Sequence, residues 1–246
     1  MERQPVIALL GKLQSGKDTV GGALLEAAPG IRSAFAHKLK QIVGEMFELS
    51  ERDLYDDKGK EAPTRFECLR CPSCKSLECE RVTLDRIELG RCKLCGSIGE
   101  TGVFASNWTP RTILQHIGTE GFRRVDPAIW VRFALERAEK TLKEAKEPGL
   151  KFTDPRGAPR FVVVTDCRFR SEAEGVWKRG GEVWKIKRPS LDGTTRGIEG
   201  HASETEQDNI RDEECQAVIV NDGTLDDLRG KALIQLDRFL AKYPKP

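Results

Sequence analysis

The sequence has no apolar run approaching the roughly 18 residues of a membrane-spanning helix, so no span is expected. Neither charge is in excess. Lys and Arg number 41 against 39 Asp and Glu, which argues against a dedicated nucleic-acid-coating protein while leaving local patches open. The opening Met-Glu-Arg-Gln-Pro lacks the basic stretch and long apolar stretch of a secretory signal, so a cytoplasmic location is expected. There is no internal repeat and no low-complexity tract. What is present is a globular composition, 38% hydrophobic and 33% charged over 246 residues, enough for one large domain or one and a half at about 100–200 residues each. Eight cysteines in a reducing compartment suggest metal before disulfides.

The most informative stretch runs from Val6 to Val20. Val6 to Leu10 reads as a buried strand, Gly11-x4-Gly16-Lys17 follows, and Asp18-Thr19 opens a helix. This is the order of a phosphate-binding loop: glycines let backbone N–H groups cradle phosphate oxygens, and the helix N-terminus points at the same anion. Lys17 is placed to reach the outer phosphates. Lys12 and Ser15 belong to the loop. Asp18 stands where the pattern has a Ser or Thr that ligates Mg²⁺. A carboxylate can hold that metal directly or through water, or Thr19 supplies the hydroxyl instead.

Further along, Lys17 to Ala28, His37 to Leu49 and Ser171 to Gly180 read as helices. Ile31 to Ala36, Phe161 to Thr165, Glu182 to Lys187 and Ala217 to Val220 read as strands. Ser50 to Thr64 is polar and reads as irregular. Thr109 is placed as an N-cap with Pro110 at the first helical position, Asp126-Pro127 opens another helix, and Thr224 caps the last. Strands and helices alternate, which predicts an α/β fold: a mostly parallel sheet with helices on both faces. Asp166 ends a buried strand at the sheet's carboxyl edge, where ligands bind, and a helix-capping role competes with a site role there. The Gly-, Pro-, Ser- and Thr-rich stretch from Arg188 to His201 has the composition of a lid.

From Cys68 to Cys95 the texture changes, with six of the eight cysteines in this span. Cys71-Pro-Ser-Cys74 and Cys92-Lys-Leu-Cys95 are two C-x2-C pairs separated by 17 residues, inside the zinc-site spacing. Together they can give one tetrahedral Zn²⁺ four thiolates. Cys68 and Cys79 are spares, read as small buried residues or surface thiols rather than ligands. Six basic and six acidic residues between Phe66 and Glu100 balance, so a structural insert is preferred to a nucleic-acid-binding one. The predicted division is a core of 1–65 with 105–246, interrupted by a zinc-ribbon-like insert at 66–104.

With these residues laid out, the chain resembles the phage deoxynucleoside monophosphate kinase family. The resemblance is carried by Ser15-Gly16-Lys17-Asp18-Thr19, including the unusual Asp, and by Ala34-Phe35-Ala36 with Leu39-Lys40. Arg111-x3-Gln115-x2-Gly118-Thr119-Glu120, then Arg124, Asp126 and Trp130, continue it, followed by Thr165-Asp166-Cys167-Arg168, His201-x-Ser203-Glu204 and Asn221-Asp222-Gly223-Thr224. The cysteine insert lies outside it. The resemblance implies a three-layer P-loop kinase with a five-stranded sheet, moving the γ-phosphoryl of ATP to a 2′-deoxynucleoside 5′-monophosphate with Mg²⁺. It implies ATP and metal contacts from Gly11, Lys12, Ser15, Gly16, Lys17, Asp18, Thr19, Arg188, Arg196, Asn221 and Asp222. On the substrate side it implies Lys40, Arg111, Gln115, Arg124, Asp126, Trp130, Asp166 and Arg168, with Lys17, Asp18, Asp166 and Arg168 nearest the chemistry. Bland readings compete for several: Trp130 as core, Asp126 as a cap, Arg111 and Arg124 as surface ion pairs. If phage-encoded, the protein would work in the host cytoplasm, and a homodimer stays open. Two other readings remain. One is a P-loop kinase acting on hydroxymethylated bases in DNA. The other is a non-catalytic ATP-binding regulator whose ribbon recruits a partner.

Overall fold

The computed structural model describes residues 4–12, 14–145, 147, 154–191 and 206–243. Two compact units emerge, one of Met1–Leu39 with Val125–Pro246 and one of Lys40–Arg124.

The first unit is built on a five-stranded, wholly parallel sheet. Its strands are β1 (Val6–Leu10), β2 (Gly30–Ser33), β8 (Phe161–Cys167), β9 (Glu182–Lys187) and β10 (Ala217–Val220), in the order β10-β9-β1-β8-β2. Every residue of β1 is buried, the mark of a central parallel strand covered on both faces. Helices α1 (Lys17–Ala27) and α10 (Leu225–Ala241) pack on each other and share one core with the sheet. Leu24, Trp184, Leu236 and Phe239 are each at most 2% exposed within it. Burying side chains of this size contributes about 1.5–3 kcal/mol apiece. Helix α9 (Arg170–Lys178) packs on β1 and β9 and carries α8 (Ile129–Glu144) against it. The expected α/β architecture with a parallel sheet is therefore present.

Strand β2 ends three residues earlier than expected. Phe35 and Ala36 leave the ladder because their amides turn to the carboxylate of Asp166 on the neighbouring strand.

In the second unit, most of α2 (His37–Phe47) leads to α3 (Glu51–Tyr55) and α4 (Asp57–Glu61). The stretch expected to be irregular is thus largely helical. Ser50 and Asp53 form a reciprocal capping box, and the Asp56 carboxylate accepts the Gly59 amide at 2.8 Å. Next, β3 (Glu67–Leu69) pairs antiparallel with β7 (Ala105–Asn107). Between them lies an antiparallel sheet of β4 (Cys79–Leu84), β5 (Ile87–Cys92) and β6 (Ile98–Glu100), followed by α5 (Thr101–Phe104). Thr109 caps α6 (Pro110–Gln115) as predicted. A π-helix, His116–Phe122, then runs into the short α7 (Arg123–Val125).

Candidate functional site: a phosphate loop at the sheet edge and a four-cysteine centre

The sheet connections decide where a ligand can enter. From β1 the chain crosses to β2, beyond β8; from β8 it crosses back over β1 to β9. Connections leaving in opposite directions open a crevice at the carboxyl ends of β1 and β8, where open α/β sheets bind ligands. The loop after β1 and the acid ending β8 flank that crevice.

Gly11 and Gly16 hold the loop's shape, with φ of 154° and 107°. A Cβ on Gly11 would come within 2.4 Å of the Ile186 carbonyl, and one on Gly16 within 2.9 Å of Asn221 Nδ2. Asn221 also donates to the Ser15 carbonyl at 2.9 Å, so the turn after β10 buttresses the loop. Its neighbour Asp222 pairs with Lys231 at 2.6 Å. Lys17 is 8% exposed and its ammonium donates to the carbonyls of Gly11 at 2.5 Å and Lys12 at 2.6 Å. Arg188, at the end of β9, donates to the Gln14 carbonyl at 3.3 Å. Asp18 projects into solvent, 84% exposed, with Arg32 at 3.7 Å from its carboxylate. Thr19 is half-buried.

Three observations test whether this loop fits phosphate. The first turn of α1 has no side-chain cap, leaving its N–H donors for an anion. The glycine cradle has no room for side chains. Ser15 Oγ is buried without a hydrogen-bond partner among the described residues, a costly arrangement that a phosphate oxygen would relieve. The residues fit a nucleotide's phosphates.

Across the crevice, Asp166 accepts the Phe35 amide at 2.7 Å and the Ala36 amide at 3.0 Å. The amides of Arg168 and Phe169 both donate to Glu172, which is 2% exposed. Burial, with the carboxylates of Glu172 and Asp166 alongside, pushes the Cys167 thiol well above its ordinary value. Trp130 is 1% exposed in the core. Asp126 accepts the Ala128 amide at 2.9 Å and pairs with Arg132 at 2.8 Å.

In the second unit, Arg111 is held by the carboxylate of Glu61, and the Lys40 ammonium lies 4.0 Å from the centre of the Tyr55 ring. Gln115 is half-buried just before the π-helix, and Arg124 is exposed. The predicted lid is described only as far as Leu191. Arg196 and the His201-to-Glu204 stretch fall outside the described residues.

The sequence reading missed the grip of Glu172, the pairing of Arg111 with Glu61 and the contact of Arg32 with Asp18. Glu172 was findable, since an acid three residues after a helix start is a capping signal. The other two join residues with no local pattern between them.

The cysteine centre lies wholly in the second unit. The sulfurs of Cys71, Cys74, Cys92 and Cys95 lie within 4.8 Å of one another. Cys71 Sγ is 3.6 Å from Cys95 Sγ, and Cys74 Sγ is 3.6 Å from Cys92 Sγ. Zn–S bonds of about 2.3 Å in a tetrahedron separate sulfurs by about 3.8 Å, so the cluster fits a zinc ribbon. Its two knuckles are built alike. Lys75 N bonds Cys71 O and Gly96 N bonds Cys92 O, both at 3.0 Å. Lys75 and Gly96 are both left-handed, at φ 62° and 74°. An amide of Cys74 directed at its sulfur leads the contacts that lower the Cys71 thiol from its ordinary value. Cys79 stays beside the centre, donating to the Ser76 carbonyl at 3.4 Å.

No protein-family model matches the chain. The chain is 24% identical over 239 residues, 94% of its length and 96% of the relative's, to an Acanthamoeba polyphaga mimivirus protein described as "Putative deoxynucleotide monophosphate kinase". Among solved structures, TT1252 from Thermus thermophilus aligns with a TM-score of 0.44 at 16% identity, covering 99% of this chain and 100% of its own. Dephospho-CoA kinase from Campylobacter jejuni aligns at 0.39 and 12% identity, covering 96% and 97%.

Proposed function

We propose that this protein is a deoxynucleoside monophosphate kinase, transferring the γ-phosphoryl of ATP to a 2′-deoxynucleoside 5′-monophosphate to give the diphosphate. The observation that carries the reading is the phosphate loop at the sheet's switch point, with its uncapped helix and unpartnered Ser15 hydroxyl. The similarity to the viral protein, running almost end to end, supports the acceptor class.

Phosphoryl transfer asks little covalent chemistry of a protein; two phosphates must be held in line and their charge neutralised. Lys17 and the amides from Ser15 to Thr19 take the donor's phosphates. Asp18, or Thr19, serves the Mg²⁺ that accompanies ATP, and that ion would supply further charge neutralisation. Arg188, already over the loop, and Arg196 add charge on the donor side. Asn221 acts through the loop it buttresses, and Asp222 through its pairing with Lys231. Arg111, Arg124 and Arg168 are assigned to the acceptor phosphate because guanidinium grips phosphate oxygens bidentately. Lys40, Gln115 and Asp126 are assigned to the rest of the acceptor, and Trp130 supports them from the core. The four cysteines hold a structural Zn²⁺ in the inserted ribbon.

The ribbon's charges speak against the DNA-modifying alternative. Glu80 engages both Arg91 and Lys93, and Arg81 lies 3.7 Å from Glu88, so these cations already have acidic partners. The test is an ATP–Mg²⁺ assay against the four common deoxynucleoside monophosphates, hydroxymethylated versions, ribonucleotides and DNA oligomers. Deoxynucleoside diphosphates are the expected product. Label on DNA alone would replace this reading, and bound ATP with no transfer would favour a regulator.

A further inference from the structure

Asp166 is the penultimate residue of β8, at the crevice, where nucleoside-triphosphate enzymes often place a metal-binding carboxylate. Its oxygens are otherwise engaged. Oδ1 accepts the amide of Phe35 at 2.7 Å and Oδ2 that of Ala36 at 3.0 Å, two consecutive amides of the turn between β2 and α2. Hydrogen bonds from amides to an ionised carboxylate are about twice as strong as neutral ones. The Phe35 side chain, 1% exposed, anchors the same turn in the core, and the His37 amide closes it on the Ala34 carbonyl at 3.2 Å. The turn is fixed at three points. It leaves the carboxyl end of β2, the strand beside β8, and so belongs to the row of loops that lines the crevice. An apolar turn of Ala-Phe-Ala offers a ligand no charge, only shape, and shape is useful only if it is held still.

We infer that Asp166 is a positioning residue for the acceptor: its carboxylate holds the Ala34–Ala36 turn as a rigid wall against the acceptor nucleotide, and keeps that hold when the donor and its metal bind. The inference rests on the kinase reading and assigns Asp166 to the acceptor rather than to Mg²⁺.

The test begins with the unaltered protein, so it does not depend on a variant folding. Backbone amide exchange is measured at Phe35 and Ala36, without ligand and then with ATP and Mg²⁺. Protection in both states is expected. Protection that vanishes on adding ATP and Mg²⁺ would mean the carboxylate moves to the metal, and would overturn the proposal. In Asp166→Asn, protection of those two amides should fall. The acceptor KM should rise about tenfold or more, the scale of one charge-assisted hydrogen bond. Calorimetric affinity for ATP with Mg²⁺ should stay within about twofold of the unaltered protein. Weakened Mg²⁺-dependent ATP binding with an unchanged acceptor KM overturns the assignment. Failure of the unaltered protein to phosphorylate any monophosphate would overturn the kinase reading itself, and is read independently of the exchange result.

Discussion

Lys17 illustrates what a single side chain does in this loop. Its ammonium is buried and donates to the carbonyls of Gly11 and Lys12, which ties it across the loop. Phosphate would offer the same charge a stronger partner. Lys17→Met keeps the stem and removes the charge. It should lower transfer by about 10²–10³-fold, the usual cost of deleting one stabilising donor at a reacting centre. Steady-state kinetics would check this, with circular dichroism showing an intact fold; near-normal turnover would remove the loop from the chemistry. This residue was legible in the sequence because its pattern is local: strand, glycines, lysine and helix lie within fifteen consecutive residues. Asp166 was legible as an acid at a strand end, but its partners were not. Phe35 and Ala36 lie about 130 residues away, and nothing in Ala-Phe-Ala announces two amides waiting for a carboxylate. Arg111 is similar: the family resemblance implied a phosphate role, the residues alone an ion pair, and Glu61, its partner here, sits 50 residues earlier.

At the scale of elements, strands β9 and β10 run where the apolar pattern put them, because buried parallel strands are short, apolar and rich in β-branched residues. Helices α3 and α4 escaped because five-residue helices have no apolar period to read; their caps hold them within a polar stretch. Another element is joined to α9 by charge. Arg170 on α9 donates to Glu214 at 2.6 Å, and the Arg211 amide donates to the same carboxylate at 2.9 Å. Arg170 first, then that amide, hold the Glu214 carboxyl down to about 2 from an ordinary 4.5. A depressed carboxyl stabilises the fold fully above its unfolded value and loses that contribution as pH falls toward its folded one. The segment carrying Glu214 should therefore loosen from α9 between about pH 4.5 and pH 2. Glu214→Gln should lower the melting temperature at pH 7, and the gap to the unaltered protein should close as pH falls through that window. Melting curves of both proteins against pH would show it; a gap independent of pH would mean the ion pair contributes nothing.

For the molecule as a whole, alternating strands and helices after a phosphate loop were enough to predict a parallel α/β sheet. The strand order was not, since it depends on which loops cross which strands. The ribbon was legible from cysteine spacing alone, because a tetrahedral metal constrains sequence more tightly than a hydrophobic core does. The two units differ in what holds them. The parallel sheet encloses a core of large side chains, including Trp184, Phe161 and Phe239. Among the described residues, the ribbon's buried cluster is Cys71, Cys92 and Phe104, with Leu69 and Cys79 packed against it. So few apolar groups do little to offset the ordering of three strands, and the proposed zinc would supply the difference. Elemental analysis should find one zinc per chain. Removing it with a strong chelator should abolish amide protection across β4, β5 and β6 while β1, β8, β9 and β10 keep theirs. Cys74→Ser should do the same without chelator, since losing one thiolate leaves an incomplete tetrahedron. A metal-free preparation whose ribbon amides stay protected would show that the four sulfurs are held together by the chain alone.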